Sequence, residues 1–106
     1  MKLPSLKIGE LTAKLPIIQG GMGVGISRSK LAGSVAKEGG IGIISTAQIG
    51  FDEPDFETNN KEANLRSLEK HIKEAKRISN NGIIGINIMY LFLDKVFILL
   101  WLSKYK

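Results

Sequence analysis

The stretch that decides the fold is Pro16-Ile17-Ile18-Gln19-Gly20-Gly21-Met22-Gly23-Val24-Gly25, an apolar run that ends in a glycine-rich segment. β-Branched residues favour a strand, and glycines directly after them favour a tight loop. We therefore predict a buried strand over 16–19 and a loop over 20–25. Backbone without side chains can approach a phosphate group or a flat ring closely, so this loop is either a tight turn or a ligand loop.

After this loop the sequence predicts two helices. The first has Ser27 or Ser29 as a possible N-cap and a stop signal at Gly39-Gly40. The second is longer and closes at Asn80-Asn81-Gly82, a run of turn formers. The apolar stripes recur at helical spacing and consist of Leu31, Ala32, Val35 and Ala36 in the first helix and Leu65, Leu68, Ile72 and Ala75 in the second.

Two further strands are predicted over 41–45 and 83–89, which are almost entirely apolar. Strands without polar alternation are typical of parallel sheets that helices cover on both faces. A loop rich in turn formers spans 46–60, and a small hairpin over 6–15 precedes the first strand. The order β-α-β-α-β indicates an α/β fold with right-handed crossovers.

The outer face of the longer helix is predicted to be solvated. Glu62 with Arg66 and Glu69 with Lys73 are spaced as i,i+4 ion pairs, which are common on exposed helix surfaces. His71 lies among these charges with no second histidine or carboxylate at metal-ligand spacing. We therefore interpret His71 as a surface histidine without a catalytic or metal-binding role.

The composition limits the classes of protein. The chain has 106 residues, of which 43% are hydrophobic and 24% charged, so it corresponds to one ordinary globular domain. Cysteine is absent, which excludes disulfides, thiolate nucleophiles and cysteine-ligated metals. A reducing cytoplasmic location is the expectation that fits this composition.

The charge does not indicate a nucleic acid or a membrane as partner. Fifteen Lys and Arg against ten Asp and Glu give a net charge of +5, but the basic residues are scattered among acidic ones without interleaved aromatics. No apolar run of secretory type follows the N-terminal lysines. The strongly apolar run over 96–102 is shorter than the ~20 residues that a membrane-spanning helix needs.

The pattern changes after Met89. Residues 90–106 contain no glycine or proline and crowd hydrophobic and aromatic residues together without clear helical or strand periodicity. We therefore divide the chain into residues 1–89 and an atypical apolar tail over 90–106. A truncated or frame-shifted gene product is our hypothesis for the origin of this tail.

Asn87 is a candidate site residue because a carboxamide in an apolar strand is costly unless its donors and acceptors are bonded. It is either a satisfied core amide or a ligand-binding group.

The glycine loop does not form a dinucleotide fingerprint, since Gly25 has the wrong spacing and the second strand ends in Ser45-Thr46 rather than an acid. A phosphate-binding P-loop is excluded by the missing Lys-Ser or Lys-Thr. Met22 and Met89 are core filler unless they contact a ligand.

Three blocks occur together in this chain: residues 16–23, residues 31–42 with Leu31-Ala32-Gly33-Ser34-Val35-Ala36, and Gly85-Ile86-Asn87-Ile88-Met89. In their order and spacing they resemble the opening of the nitronate monooxygenase family, formerly called 2-nitropropane dioxygenases. Flavin-dependent enoyl-acyl-carrier-protein reductases are its relatives. The resemblance implies a TIM-like (β/α)₈ barrel that holds FMN at the carboxyl ends of its strands. It also implies oxidation of alkyl nitronates to carbonyl compounds and nitrite.

The resemblance assigns a cofactor role to five residues, which match flavin-lining positions: Gly21, Met22, Gly23, Asn87 and Met89. A whole barrel takes ~250 residues, so this chain has room for the N-terminal β-α-β-α-β part only. The catalytic histidine and the phosphate-binding loops of the family lie beyond it, and we assign no catalytic residue here. An enoyl reductase fragment, a non-enzymatic remnant that self-associates through exposed edges, and a small dinucleotide-binding domain are the alternatives.

Overall fold

The computed structural model describes residues 2–89. In this part of the chain two helices and four short strands form a mixed α/β arrangement with two small sheets. The predicted boundary at residue 90 lies at the limit of the described residues, and the tail over 90–106 lies outside them. The elements are β1 (Leu6–Ile8), β2 (Leu11–Ala13), α1 (Ser29–Lys37), β3 (Gly42–Ser45), α2 (Asn60–Ser79) and β4 (Ile84–Asn87).

The predicted N-terminal hairpin is confirmed. β1 and β2 pair antiparallel, with Leu6 opposite Ala13 and Ile8 opposite Leu11. Gly9 in the connecting turn has a φ of +57°, a left-handed conformation that glycine adopts without steric cost. The local turn signal was therefore sufficient to predict this element.

The parallel sheet is also confirmed, in a smaller form. β3 and β4 pair parallel over their whole length, from Gly42 opposite Ile84 to Ser45 opposite Asn87. α2 makes the crossover between them, as parallel neighbours require. The carboxyl ends of both strands therefore lie at the same edge of the sheet.

The predicted first strand over 16–19 is reduced to a single parallel bridge between Ile18 and Ile41. The prediction that it is buried is wrong, because Ile17 and Ile18 are 49% and 56% exposed. The backbone still pairs with the segment before β3, since the Gln19 N–H donates to the Ile41 carbonyl at 3.0 Å. The ladder then ends because the chain turns away from the sheet into the glycines.

The N-cap of α1 differs from both predicted serines. Arg28 occupies the N-cap position without a side-chain hydrogen bond, and Ser29 is the first helical residue. Ser27 is unable to cap because its buried hydroxyl bonds instead to the Ile43 carbonyl. The predicted stop is confirmed, since Gly39 follows the C-cap with a φ of +101°.

The two helices pack against each other and against the β3–β4 sheet. Gly33 allows the close approach of the helices, because a Cβ there would lie 2.9 Å from Ile78 Cβ. α2 ends as predicted, with Asn80 in the left-handed conformation at the C-cap. The core consists of the buried residues Ala32, Ile44, Ile49, Leu68 and Ala75.

The predicted ion pairs on α2 are confirmed in one of two cases. Lys73 Nζ lies 2.8 Å from Glu69 Oε1, as i,i+4 spacing predicts. Arg66 binds two carboxylates of the preceding loop, Asp55 and Glu53, rather than Glu62 of its own helix. The loop supplies two carboxylates to the Arg66 guanidinium, whereas Glu62 would supply only one.

Within residues 2–89, neither helix combines the length and apolar character needed to cross a bilayer.

Candidate functional site

A cavity of about 380 Å³ opens at the edge of the sheet where the parallel segments end. Its walls come from the glycine loop after 16–19, the loop after β3, the first turns of α2 and the residue shortly after β4. This volume is within the range of small-molecule sites in proteins, about 300–1,000 Å³. The described residues that line it are Gly23, Val24, Thr46, Ala47, Gln48, Asn60, Asn64 and Met89.

The ends of β3 and β4 are held together directly below this cavity. Thr46 donates two hydrogen bonds to the Asn87 carbonyl, from its backbone N–H at 3.1 Å and from its hydroxyl at 2.9 Å. Thr46 is fully buried. The loop after β3 and the end of β4 are therefore joined by hydrogen bonds beside the cavity.

The glycine loop has the conformation that its glycines permit. Gly23 and Gly25 have φ values of +47° and +76°, and the Ser27 N–H closes the loop by donating to the Met22 carbonyl at 3.2 Å. A Cβ on Gly25 would lie 2.8 Å from the ring of Phe51. The loop is thus a tight turn packed against the loop after β3, and it also contributes Gly23 to the cavity wall.

Gln19 is a positioning residue that we did not predict. Its carboxamide replaces the next rung of the parallel ladder, because Oε1 accepts from the Ile43 N–H at 3.1 Å and Nε2 donates to the Ile43 carbonyl at 3.0 Å. Nε2 also contacts the hydroxyl of the buried Ser27. The chain can therefore leave the sheet at Gly20 while Ile43 keeps both its hydrogen bonds. A polar residue between an apolar run and a glycine run was the signal that could have identified it.

Two of the five predicted cofactor-binding residues line the cavity. Gly23 and Met89 face it from the glycine loop and from the segment after β4. Gly21 lies instead against Asn87, since a Cβ on Gly21 would be 2.4 Å from Asn87 Cβ. Met22 is 46% exposed and Met89 is 45% exposed, so the interpretation of these methionines as core filler is wrong. The structure thus places all five around one end of the sheet.

Asn87 is exposed, so its amide carries no cost of burial. The alternative of a satisfied core amide is wrong for the same reason. Among residues 2–89, its side chain has no hydrogen-bond partner, and its backbone carbonyl accepts from Thr46. The outward position follows from its place as the last residue of β4.

His71 is half-buried rather than fully exposed, and its Nδ1 lies 2.9 Å from Ser29 Oγ at the start of α1. Burial, together with the positive charges of Arg28 and Lys70, holds the pKa of His71 below its usual value. His71 contributes to a wide, charged groove on α2 and not to the cavity. In the described part of the chain, no cluster of three His, Asp or Glu residues could hold a metal ion.

Arg28 connects the glycine-loop side of the site to the loop after β3. Its guanidinium lies 2.9 Å from Asp52 Oδ2 and 5.1 Å above the centre of the Phe51 ring. The hydrogen bond from Arg28 holds the pKa of Asp52 below its usual value. This pair anchors the loop outside the cavity, whose described lining residues carry no charge.

Parallel strands joined by a helix, with a cavity at their carboxyl ends, define a mixed α/β domain. The family model for nitronate monooxygenase matches residues 4–97, and the chain belongs to that family. The resemblance of the three sequence blocks is thereby confirmed, and the match continues beyond Met89. Among curated proteins, none matches the chain.

Proposed function

We propose that this chain is the N-terminal part of an FMN-dependent nitronate monooxygenase and is inactive on its own. The observation that carries this proposal is the position of Gly23 and Met89. Both match flavin-lining positions by family resemblance, and both line one cavity at the carboxyl ends of parallel strands. Family membership supports the reaction class, the oxidation of nitronates.

The cavity fits the ring of a flavin better than its phosphate. Its described lining residues are uncharged and its volume is about 380 Å³. Gly23 contributes backbone without a side chain to the cavity wall, and Met89 contributes a polarisable thioether. Both groups can pack against a flat ring. Gly21, Met22 and Asn87 would hold the adjoining part of the cofactor. Bound FMN supplies the electron-accepting ring that oxidation of the substrate requires.

The sheet is consistent with the start of a TIM-like barrel. β3 and β4 are parallel neighbours joined through α2, and the segment over 16–19 adds a parallel bridge on the other side of β3. In barrels of this type the chemistry lies at the carboxyl ends of the strands, where this cavity lies. We infer that further strands complete the site in a whole enzyme.

We expect this chain to show no nitronate oxidation above that of free flavin, even with excess FMN. None of the described residues that line the cavity is ionisable, so this wall offers no general acid or base. Loss of one such group typically lowers the rate by about 10²–10⁴-fold. Oxygen consumption with a nitroalkane anion and added FMN measures the result. Turnover above free FMN that Asn87→Leu abolishes would contradict the proposal.

We also propose that this chain self-associates. Exposed apolar side chains at the glycine-loop side of the sheet favour this association. Within residues 2–89, β4 pairs with β3 alone, so one edge of the sheet offers unpaired backbone groups. Chains of this kind associate through such edges and patches. The exposed side chains are Ile17, Ile18, Met22, Val24 and Ile26, which are between 46% and 64% accessible.

We expect the purified chain to sediment as oligomers in analytical ultracentrifugation. Ile18→Lys combined with Ile26→Lys should shift it toward the monomer, because the charges oppose burial of this patch. Leu3→Lys is the matched control, since Leu3 is 48% exposed but lies before β1. A monomeric unmodified chain would show that the patch does not drive association.

A further inference from the structure

The loop after β3 holds Gln48 in a conformation that is unfavourable for a residue with a Cβ. Its φ is +48°, in the left-handed region that glycine adopts freely. Strained residues of this kind persist where their surroundings determine them, and they cluster at ligand sites.

The residues after Gln48 are anchored to α2. Ile49 is fully buried, and its carbonyl accepts from the Ser67 hydroxyl at 3.0 Å. The Gly50 N–H donates to Asn64 Oδ1 at 2.8 Å. A Cβ on Gly50 would lie 2.6 Å from the Ala63 backbone, so the loop fits tightly against the helix. These contacts leave Gln48 at the top of the turn, in the wall of the cavity.

The Gln48 carboxamide is oriented by the first turns of α2. Its Oε1 accepts from Asn60 Nδ2 at 3.3 Å and from Asn64 Nδ2 at 3.4 Å, and Asn64 Nδ2 also donates to Asn60 Oδ1 at 3.1 Å. The oxygen is thereby turned toward the helix. Among residues 2–89, the Nε2 group has no acceptor, so the part of Gln48 that can serve a ligand is a hydrogen-bond donor.

This donor lies in an uncharged part of the cavity wall, since the described lining residues are Gly, Val, Ala, Thr, Gln, Asn and Met. Such a wall suits an uncharged group that carries acceptor atoms at its edge, and it suits a phosphate poorly. We propose that Gln48 is a ring-recognition residue whose side-chain amino group donates a hydrogen bond to a carbonyl oxygen or ring nitrogen of the flavin ring. This inference rests on the proposed flavin-dependent function and assigns a residue outside the five predicted ones.

The test uses the whole chain with two probes, FMN and lumiflavin, which has the ring without the ribityl phosphate. Binding is followed by ¹H–¹⁵N NMR titration, which detects weak complexes and reports the Gln48 side-chain amino group directly. We expect both probes to shift the Gln48 Nε2 resonances, with similar affinities because the ring carries the recognition. Gln48→Glu, which keeps the length but removes the donor, should bind lumiflavin about tenfold more weakly.

Gln48→Gly separates recognition from stability. Glycine relieves the left-handed strain, so this variant should melt at no lower temperature than the unmodified chain while losing lumiflavin affinity to the same extent. Asn81→Gly is the matched control, because Asn81 has a φ of +64° at the end of α2 and does not line the cavity. It should bind lumiflavin like the unmodified chain.

The outcomes distinguish this inference from the function it rests on. If FMN binds and lumiflavin does not, or if both Gln48 variants bind lumiflavin normally, the role of Gln48 is overturned while the flavin site stands. If the unmodified chain binds neither probe at any accessible concentration, the flavin site and the role of Gln48 are both overturned.

Discussion

Gly42→Ala is expected to abolish cooperative folding of this chain. A Cβ on Gly42, the first residue of β3, would lie 1.9 Å from the Ala32 carbonyl oxygen and 2.6 Å from the Ala32 carbonyl carbon. These atoms are helix backbone and cannot move aside like the end of a flexible side chain. α1 would have to separate from the sheet, and Ala32 and Ile44 would lose their packing in the core. We expect a loss of about 4 kcal/mol or more in the free energy of unfolding.

Chemical denaturation followed by circular dichroism measures this effect. Gly20→Ala is the matched control, because a Cβ on Gly20 meets nothing within 4 Å and its backbone is not left-handed. The control should keep the stability of the unmodified chain to within about 0.5 kcal/mol. If Gly42→Ala unfolds with the same midpoint as the control, the close approach of α1 to β3 is not as described.

Gly21→Val is expected to have the second largest effect, through the contact between the glycine loop and β4. The added Cβ would lie 2.4 Å from Asn87 Cβ and 3.3 Å from Ile43 Cγ2. Asn87 Cβ is attached to the strand backbone, so the end of β4 must shift. We expect a loss of about 3 kcal/mol in the free energy of unfolding, the upper end for an overpacked site.

A double-mutant cycle tests the cause of this loss. Gly21→Ala should cost about 2 kcal/mol on its own, and Asn87→Gly, which removes the opposing Cβ, should reduce that cost by about 1 kcal/mol or more. Gly20→Val is the control for adding a branched side chain to the loop. Additive effects of the two substitutions would show that the loop and β4 do not touch at this point.

The same contact changes the interpretation of Gly21 as a flavin-lining residue. Its small size is required by Asn87 whether or not a ring approaches. Asn87→Leu separates the two roles in a complete homologue, because it removes the amide without adding a Cβ. A loss of about 1–3 kcal/mol in FMN binding is expected if the amide bonds the flavin. Unchanged flavin content after purification would remove Asn87 from the site.

Much of the fold could be predicted because it depends on residues close together in the sequence. The hairpin follows from Gly9 in its turn, and the end of α1 follows from Gly39, which takes up the left-handed position. α2 follows from its apolar stripe and ends at the predicted Asn80. The family resemblance, carried by three blocks in order, likewise needs no coordinates, and the family match confirms it.

The tertiary structure alone decided the features that depend on partners far along the chain. Gln19 replaces a rung of the sheet because Ile43 lies beside it, and that contact shortens the predicted first strand to one bridge. Gln48 is strained because α2 anchors the residues after it. Local propensity contains no information on such contacts, since they join residues that only the folded chain brings together. The hairpin, the two helices and the parallel pair β3–β4 were therefore determined by local sequence, whereas the length of the first strand and the shape of the cavity were determined by packing between distant segments.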